Sequence, residues 1–247
     1  FEQAVADYCG ARFGVAVNSG TAALHIACLA LGVGQGDWVW TSPISFVASA
    51  NCALYCGAQV DFVDIEPDTG NMCALELERK LMVAKAEGRL PKVVIPVHFA
   101  GLPCDMKEIH RLGLEYDFRI IEDACHALGA HYHGEPTGNG RYSDITVFSF
   151  HPVKIITTGE GGMAMTNDPA LAKTMRMLRS HGITREPEDF INEPDGLWYY
   201  EQQMLGFNYR MTDIQAALGL SQMSNLEAWI AQRGEIAHRD FEALAPE

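Results

Sequence analysis

The chain has 247 residues, of which 48% are hydrophobic and 20% charged, and its formal net charge is -14. A chain of this length can bury one large core or two modest ones, and the composition is typical of a soluble globular protein. The acidic balance argues against binding to the phosphate backbone of DNA or RNA, which needs a basic face. No apolar stretch approaches the roughly 20 residues that span a bilayer, so we expect no membrane segment.

Helical and extended patterns alternate along the chain. They predict strands at 14–18, 38–40, 59–63, 92–97, 118–122, 144–149 and 162–166. They predict helices at 1–13, 19–31, 46–55, 74–86, 105–113 and 169–180, and one long helix or two in series over 211–244. The polar segment 182–207 is predicted to be an ordered loop or lid. Short apolar strands with intervening helices imply an α/β fold with a mostly parallel sheet between helices, where ligands gather at the carboxyl ends of strands.

The seven cysteines are scattered through apolar segments, which predicts buried, reduced thiols in a cytoplasmic protein rather than a disulfide framework. Cys52 and Cys56 lie one helical turn apart, but no second pair of Cys or His completes a zinc site, so we expect no metal. Because the chain begins at Phe1 rather than Met and ends just after a predicted helix, we expect it to be a fragment.

Lys154 lies in an unusual context for a loop lysine, which is most often a solvated surface residue. It follows a predicted strand in the segment Ser149-Phe-His-Pro-Val-Lys154, and its apolar neighbours would desolvate the amine and favour its neutral, nucleophilic form. Ser149 and the glycine-rich run 159–162 offer hydroxyl and amide donors for a phosphate group. A hairpin turn explains the glycine run equally well.

The segment NSGTAAL (residues 18–24) forms a predicted turn from a strand into a helix. The amides of Gly20, Thr21 and Ala22 would form an anion site there, reinforced by the helix dipole. A plain N-cap by Ser19 or Thr21 explains the same motif. Both interpretations remain open at this point.

The segment 120–126 ends a predicted strand with Asp123 and, three residues later, His126. The carboxylate could bind a metal, act as a base or cap the following turn, although these two residues supply too few ligands for a metal. A phosphate cup, an amine in an apolar pocket and a strand-end carboxylate together are what pyridoxal phosphate (PLP) requires. The carboxylate keeps the pyridine nitrogen protonated, so that the ring can accept electrons.

Four segments in this order resemble the PLP-dependent sugar aminotransferases of the DegT/DnrJ/StrS family, which have the type I, aspartate aminotransferase-like fold. These segments are NSGTAAL (18–24), IEDACH (121–126), FSFHPVK (148–154) and GFNYRMTD (206–213). The resemblance implies a PLP-binding large domain over 1–222 with a truncated N-terminus. It also implies that 223–247 is a long helix leading to a small C-terminal domain that this chain largely lacks.

The resemblance also implies a role for individual residues around the cofactor ring. Lys154 matches the Schiff-base lysine, and Asp123 matches the partner of the pyridine nitrogen. His126 occupies the position that contacts the ring near its 3-hydroxyl, and Phe46 matches the aromatic residue stacked on the ring.

Further matches concern the cofactor phosphate. Gly20, Thr21 and Ser149 match phosphate contacts. Asn208 matches the residue that reaches the phosphate in the neighbouring subunit, which implies a homodimer with shared active sites.

The implied reaction is the transamination of a nucleotide-linked 4-keto-6-deoxy sugar, with L-glutamate as amino donor and Lys154 as general base and acid. Segments 41–50, 179–182 and 205–210 most resemble the branch that aminates a UDP-linked N-acetylated sugar for pseudaminic acid. Three alternatives stay open. They are a PLP-dependent sugar dehydratase, although that branch replaces the lysine with His, a non-catalytic PLP-binding regulator, and an interaction protein without a cofactor.

Overall fold

A seven-stranded sheet runs through the computed structural model, which describes residues 1–244. The sheet strands, numbered in chain order with four shorter ones, are β1 (Phe13–Val17), β2 (Trp38–Thr41), β3 (Gln59–Phe62), β4 (Val93–Ile95), β5 (Arg119–Asp123), β8 (Ile145–Ser149) and β9 (Gly162–Thr166). The shorter strands form two hairpins, one of β6 (His131–Tyr132) with β7 (Glu135–Pro136), the other of β10 (Ile183–Thr184) with β11 (Glu201–Gln202).

The strand order of the sheet is β1-β9-β8-β5-β4-β2-β3. β9 is antiparallel to both of its neighbours, and the other pairings are parallel. The predicted, mostly parallel sheet is therefore confirmed, with β9 as the exception. The parallel strands bring their carboxyl ends to one edge, where Asp123 pairs in register with Val147 and Ser149 pairs with Gly162.

Eight α-helices occupy the described residues: α1 (Glu2–Cys9), α2 (Gly20–Ala30), α3 (Ala48–Tyr55), α4 (Ala74–Glu87), α5 (Met106–Tyr116), α6 (Pro169–Leu178), α7 (Asp213–Met223) and α8 (Leu226–Leu244). Two short 3-10 turns cover Phe99–Gly101 and Pro187–Asp189. The pattern predicted over 211–244 resolves into two helices in series. None of the helices within residues 1–244 has the length and apolar character needed to cross a membrane.

The helices cover both faces of the sheet because alternate strand residues point to opposite sides. Ile121 of β5 packs with α2, α3 and α6 in one core, while its neighbour Ile120 packs with α4 and α5 in another. Burying one such side chain fully contributes roughly 1.5–3 kcal/mol. A third cluster joins α1 to Phe148 and to Leu226 at the start of α8. These three cores stabilise the packing of the helices against the sheet.

Several elements differ in detail from their predicted bounds. The helix predicted over 1–13 ends at Cys9, because Gly10 follows it in a left-handed conformation with φ of 76°, and Phe13 already belongs to β1. α3 begins at Ala48 rather than at Phe46, because the Phe46 carbonyl accepts the amide of Ser49, three residues on, whereas the four-residue helical bonds begin at Val47, whose carbonyl accepts from Asn51 at 2.8 Å. The lid segment, as we call residues 182–207, contains one short hairpin and the 3-10 turn Pro187–Asp189 and is otherwise irregular. The predicted domain boundary between 222 and 223 stays a prediction, and residues 245–247 of that second segment lie outside the described ones.

All seven cysteines are free thiols, four of them buried and three half-buried, in agreement with the expected reduced state. The Sγ atoms of Cys28 on α2 and Cys52 on α3 lie 3.7 Å apart. Across residues 1–244, no group of three or more His, Cys, Asp or Glu side chains is placed to hold a metal ion.

Candidate active site

A cavity of about 510 Å³ opens at the carboxyl edge of the sheet. Its wall comes from the N-terminus of α2, the segment before α3, the ends of β4, β5 and β8, and the loop 150–161. Every predicted site residue except Asn208 lines this cavity. Residues far apart in the chain meet here because parallel strands end together.

Lys154 lies in the loop that follows β8, where its amide donates to the carbonyl of His151 at 2.9 Å. The amine Nζ is 2.5 Å from Nε2 of His126, and the lysine is half-buried. The expected apolar flank is present on one side alone, since Ile156 is buried whereas Val153 is 77% exposed. Lys154 therefore has apolar packing on one side rather than on both.

The His126 ring shapes the surroundings of the lysine amine. Partial desolvation, followed by the nearby charge of Lys154, lowers the pKa of His126 below its usual value, against an opposing effect of Asp123. The imidazole is then neutral near pH 7, and its Nε2 can accept an N–H from Lys154. This contact orients the amine within the cavity.

Asp123 ends β5 and is 4% exposed. Its Oδ2 accepts from the Ser49 hydroxyl at 2.6 Å, and its Oδ1 accepts from the Cys125 amide at 3.2 Å. An ionised carboxylate has about four acceptor positions, so it can still accept a donor from a ligand. Ser49 was missed in the sequence, because its contact joins residues 74 positions apart and no motif around it indicates that meeting.

The N-terminus of α2 reconciles the two interpretations of its motif. Ser19 caps the helix by accepting from the amide of Ala22 at 3.0 Å. The amides of Gly20 and Thr21 precede that capped one and have no acceptor within the helix, since the first turn of a helix offers none. A Cβ on Gly20 would lie 3.0 Å from Cβ of Ser149, so glycine allows the helix end to approach this serine closely. The cap therefore leaves two amide donors that could bind an anion.

Phe46 lines the cavity and leaves 74% of its surface exposed. A large aromatic side chain in this setting is suited to stack against a planar ligand, because stacking would bury much of the exposed ring. Its place just before α3 puts it in the same turn as Ser49.

A buried ion pair supports the cavity wall behind Asp123. Nε2 of His98 lies 2.8 Å from Oε2 of Glu122, and both side chains are buried. Burial acts to lower the pKa of His98, but its contacts with Cys104 and Glu122 raise that pKa to about 10. Burial acts to raise the pKa of Glu122, but His98, Ser143 and Thr146 lower it. This pair was also absent from the sequence-based predictions.

Asn208 is exposed and lies outside the cavity. Its carbonyl accepts from the side chain of Asn18 at 3.4 Å, and it forms a bridge with Ser180. Its expected contact with a phosphate in a neighbouring subunit stays a prediction.

The residues of the cavity fit PLP. The cavity volume lies within the range of small-molecule sites, roughly 300–1,000 Å³. A lysine amine and a carboxylate with open acceptor positions share the cavity, and an exposed aromatic ring lies beside them. The amides of Gly20 and Thr21, together with the half-buried Ser149, offer the donors that a phosphate needs.

Comparison with known proteins gives a consistent picture. Residues 1–245 match the DegT/DnrJ/EryC1/StrS aminotransferase family. The chain is 42% identical over 236 residues to GDP-perosamine synthase of Caulobacter vibrioides, covering 96% of this chain and 58% of that protein. It is 40% identical over 245 residues to UDP-4-amino-4,6-dideoxy-N-acetyl-beta-L-altrosamine transaminase of Campylobacter jejuni, covering 98% of this chain and 61% of that protein.

A solved structure is similar over the same region. PseC of Helicobacter pylori, an aminotransferase involved in the biosynthesis of pseudoaminic acid, matches with a TM-score of 0.88 at 31% identity. The match covers 100% of this chain and 62% of that one. The chain thus spans about three fifths of the length of the relatives it matches.

Proposed function

This chain belongs to the DegT/DnrJ/EryC1/StrS aminotransferase family, and we propose that the protein is a PLP-dependent aminotransferase acting on a nucleotide-linked 4-keto-6-deoxy sugar. The observation that carries the proposal is the meeting of the Lys154 amine and the Asp123 carboxylate in one cavity. The relatives named above are a perosamine synthase and an altrosamine transaminase, and both names refer to amino sugars.

PLP, found in related members of the family, supplies when bound an electron-accepting pyridine ring that stabilises negative charge on a substrate carbon. Lys154 Nζ would hold its aldehyde carbon, and Asp123 would accept the N–H of its ring nitrogen. Phe46 would stack on the ring. The amides of Gly20 and Thr21 would bind its phosphate.

The amine of Lys154 would then carry out the proton transfers of the reaction. Once the amino donor has displaced it from the aldehyde carbon, Nζ would move a proton from the α carbon of L-glutamate to that former aldehyde carbon in the first half-reaction. In the second it would move a proton from the same position to C4 of the sugar. His126 orients the amine for both transfers through its neutral Nε2. Glutamate leaves as 2-oxoglutarate and the keto-sugar leaves as an amino sugar, so atoms and electrons balance without a further co-reactant.

The finer assignment is a UDP-linked N-acetylated sugar, with L-glutamate as the donor, in a cytoplasmic homodimer with shared active sites. Support comes from the similarity to the altrosamine transaminase and to PseC. The position of Asn208, exposed and outside its own cavity, supports a role in a partner's site. On this proposal, residues 1–222 form the cofactor-binding domain and the helix beyond leads to a second domain.

The test is a donor and acceptor screen on the whole protein, with L-glutamate and UDP-, dTDP- and GDP-linked 4-keto-6-deoxy sugars. We expect a visible absorption band of bound PLP and equal yields of 2-oxoglutarate and amino sugar. Lys154→Ala should abolish turnover, while Lys107→Ala, which changes an exposed lysine outside the cavity, should not.

Turnover retained in Lys154→Ala would contradict the proposal. Ketone formation without glutamate would indicate a sugar dehydratase instead. A PLP band without turnover of any amino donor would indicate a regulator, and no spectral change on adding PLP would indicate a protein without this cofactor.

A further inference from the structure

The hydroxyl of Ser49 is fully buried behind the cavity wall. Three acceptors lie near its Oγ: Oδ2 of Asp123 at 2.6 Å, Oγ of Ser45 at 2.6 Å and the carbonyl of Phe46 at 3.2 Å. A serine has a single hydroxyl hydrogen. Because bonds to a charged acceptor are the stronger ones, that hydrogen points to Asp123. Ser45 then donates either to Ser49 or to the carbonyl of Phe46 at 3.1 Å.

The contact with Ser49 completes the support of the Asp123 side chain. The backbone of Asp123 is already fixed. Its amide donates to the carbonyl of Pro96 at 2.9 Å, and its carbonyl accepts from the backbone amide of His98 at 3.0 Å. The Cys125 amide holds Oδ1, and Ser49 holds Oδ2. With both oxygens held, the plane of the carboxylate cannot turn freely, and its remaining acceptor positions keep one direction.

Ser49 also couples two parts of the site that approach a planar ligand from different sides. Its amide donates to the carbonyl of Phe46 at 3.1 Å, so both residues belong to one turn. Within α3, the carbonyl of Ser49 also accepts from the thiol of Cys52 at 3.4 Å. The aromatic ring and the carboxylate are therefore held by one small group of hydrogen bonds, although they lie on different elements.

We infer that Ser49 is a positioning residue for the cofactor: it holds the Asp123 carboxylate in the orientation that receives the N–H of the PLP ring nitrogen. The inference rests on the proposed function for the identity of the cofactor, and it is independent of the sugar and the amino donor. Ser49 itself touches neither the cofactor nor the substrate.

The test measures the bound cofactor directly in the whole protein. Ser49→Ala should weaken the binding of PLP to the apoprotein by roughly tenfold, which corresponds to about 1.4 kcal/mol and is close to the lower end of the range for one hydrogen bond to a charged group, about 1.5–3 kcal/mol. It should also move the 15N resonance of ring-labelled PLP towards that of the unprotonated ring. Ser49→Thr keeps a hydroxyl and should restore both values.

The matched control is Ser42→Ala. Ser42 is 1% exposed, and its hydroxyl has no hydrogen-bond partner within residues 1–244, so the same substitution there removes a buried hydroxyl without removing a bond. If Ser49→Ala fails to fold, Ser49→Cys replaces the hydroxyl with a weak donor of similar size.

The inference is overturned if the Ser49 variant gives the same dissociation constant and 15N resonance as the Ser42 variant. It is also overturned if Ser49→Thr is as impaired as Ser49→Ala, because packing would then explain the loss. If the wild-type protein binds PLP but aminates no sugar, the proposed function fails while these two measurements still decide the role of Ser49.

Discussion

The cavity wall and the lid segment each contain a glutamate that accepts several hydrogen bonds, one of them buried and the other near the surface. In the wall, Glu122 is buried and receives His98 and two hydroxyls. In the lid segment, Glu201 lies near the surface, and its carboxylate accepts the amides of Ile191 at 2.7 Å and Asn192 at 2.9 Å. Ile191 and Trp198 expose most of their surface there. The wall is thus ordered by burial, whereas the lid is ordered by surface hydrogen bonds.

This difference separates two tasks within one chain. A buried polar group without its partner costs the full desolvation penalty, so the wall keeps one geometry. A segment with few buried contacts opens at a low free-energy cost, which suits the binding of a large or variable ligand. We therefore expect changes in the wall to affect folding and cofactor binding, and changes in the lid to affect neither.

The largest expected effect comes from breaking the pair in the wall. Glu122→Ala removes the buried acceptor of the His98 ring and of the Ser143 and Thr146 hydroxyls. A buried donor left without an acceptor costs about 1–3 kcal/mol, so the free energy of unfolding should fall by about 3–5 kcal/mol. Glu115→Ala removes an exposed partner of Arg111 on α5 and should cost about 0.3–0.5 kcal/mol. Urea unfolding of both variants measures the contrast. Equal losses would remove the distinction between wall and surface.

A smaller effect concerns the pH dependence of the same pair. The pKa of His98 is raised from 6.5 to about 10 in the folded protein, so its stabilising contribution is complete below 6.5 and is lost as the pH rises through about 10. The pKa of Glu122 is lowered in the folded protein. Its contribution to stability is therefore complete above the ordinary pKa of a glutamate and is lost as the pH falls below it. Between neutral and alkaline pH, the wild type should therefore lose stability more steeply than Glu122→Gln. Parallel curves in urea unfolding would contradict this expectation.

The smallest effect is expected in the lid. The amide of Ile191, then that of Asn192 and the hydroxyl of Tyr199, lower the pKa of Glu201 to about 2. Glu201→Ala should speed hydrogen exchange at the amides of Ile191 and Asn192 roughly fivefold, while thermal unfolding and PLP binding stay unchanged. Glu193→Ala, an exposed acid in the same segment, is the control. A drop in the unfolding temperature would show that the lid belongs to the wall's cooperative unit.

Much of the site could be predicted from the sequence because its residues follow apolar runs. Asp123 and Ser149 each end a buried strand, and Gly20 opens a helix after another. Parallel strands bring such positions to one edge whatever their order. The assignment of Lys154 needed the family resemblance, since its sequence neighbours predicted apolar packing on both sides of the lysine and the structure has it on one.

What could not be predicted depends on strand order and direction. Ser49 meets Asp123, and His98 meets Glu122, because β4 lies between β2 and β5. An apolar run looks the same in either direction, so the strand itself does not indicate the reversed direction of β9. The one indication is the connection before it, whose glycine run is compatible with a hairpin turn. Residues of the lid segment such as Ile191 and Trp198 are exposed, and the sequence alone does not indicate what they contact.

The reversed strand has a consequence for the lysine. Because β9 returns beside β8, the loop 150–161 begins and ends at neighbouring positions, and its ends are joined by the pairing of Ser149 with Gly162. An amine carried on such a loop cannot diffuse away when it is displaced from a partner. On the proposed function, its effective concentration at the reacting carbon would stay far above that of any free amine in solution, so recapture after each exchange would be an intramolecular event.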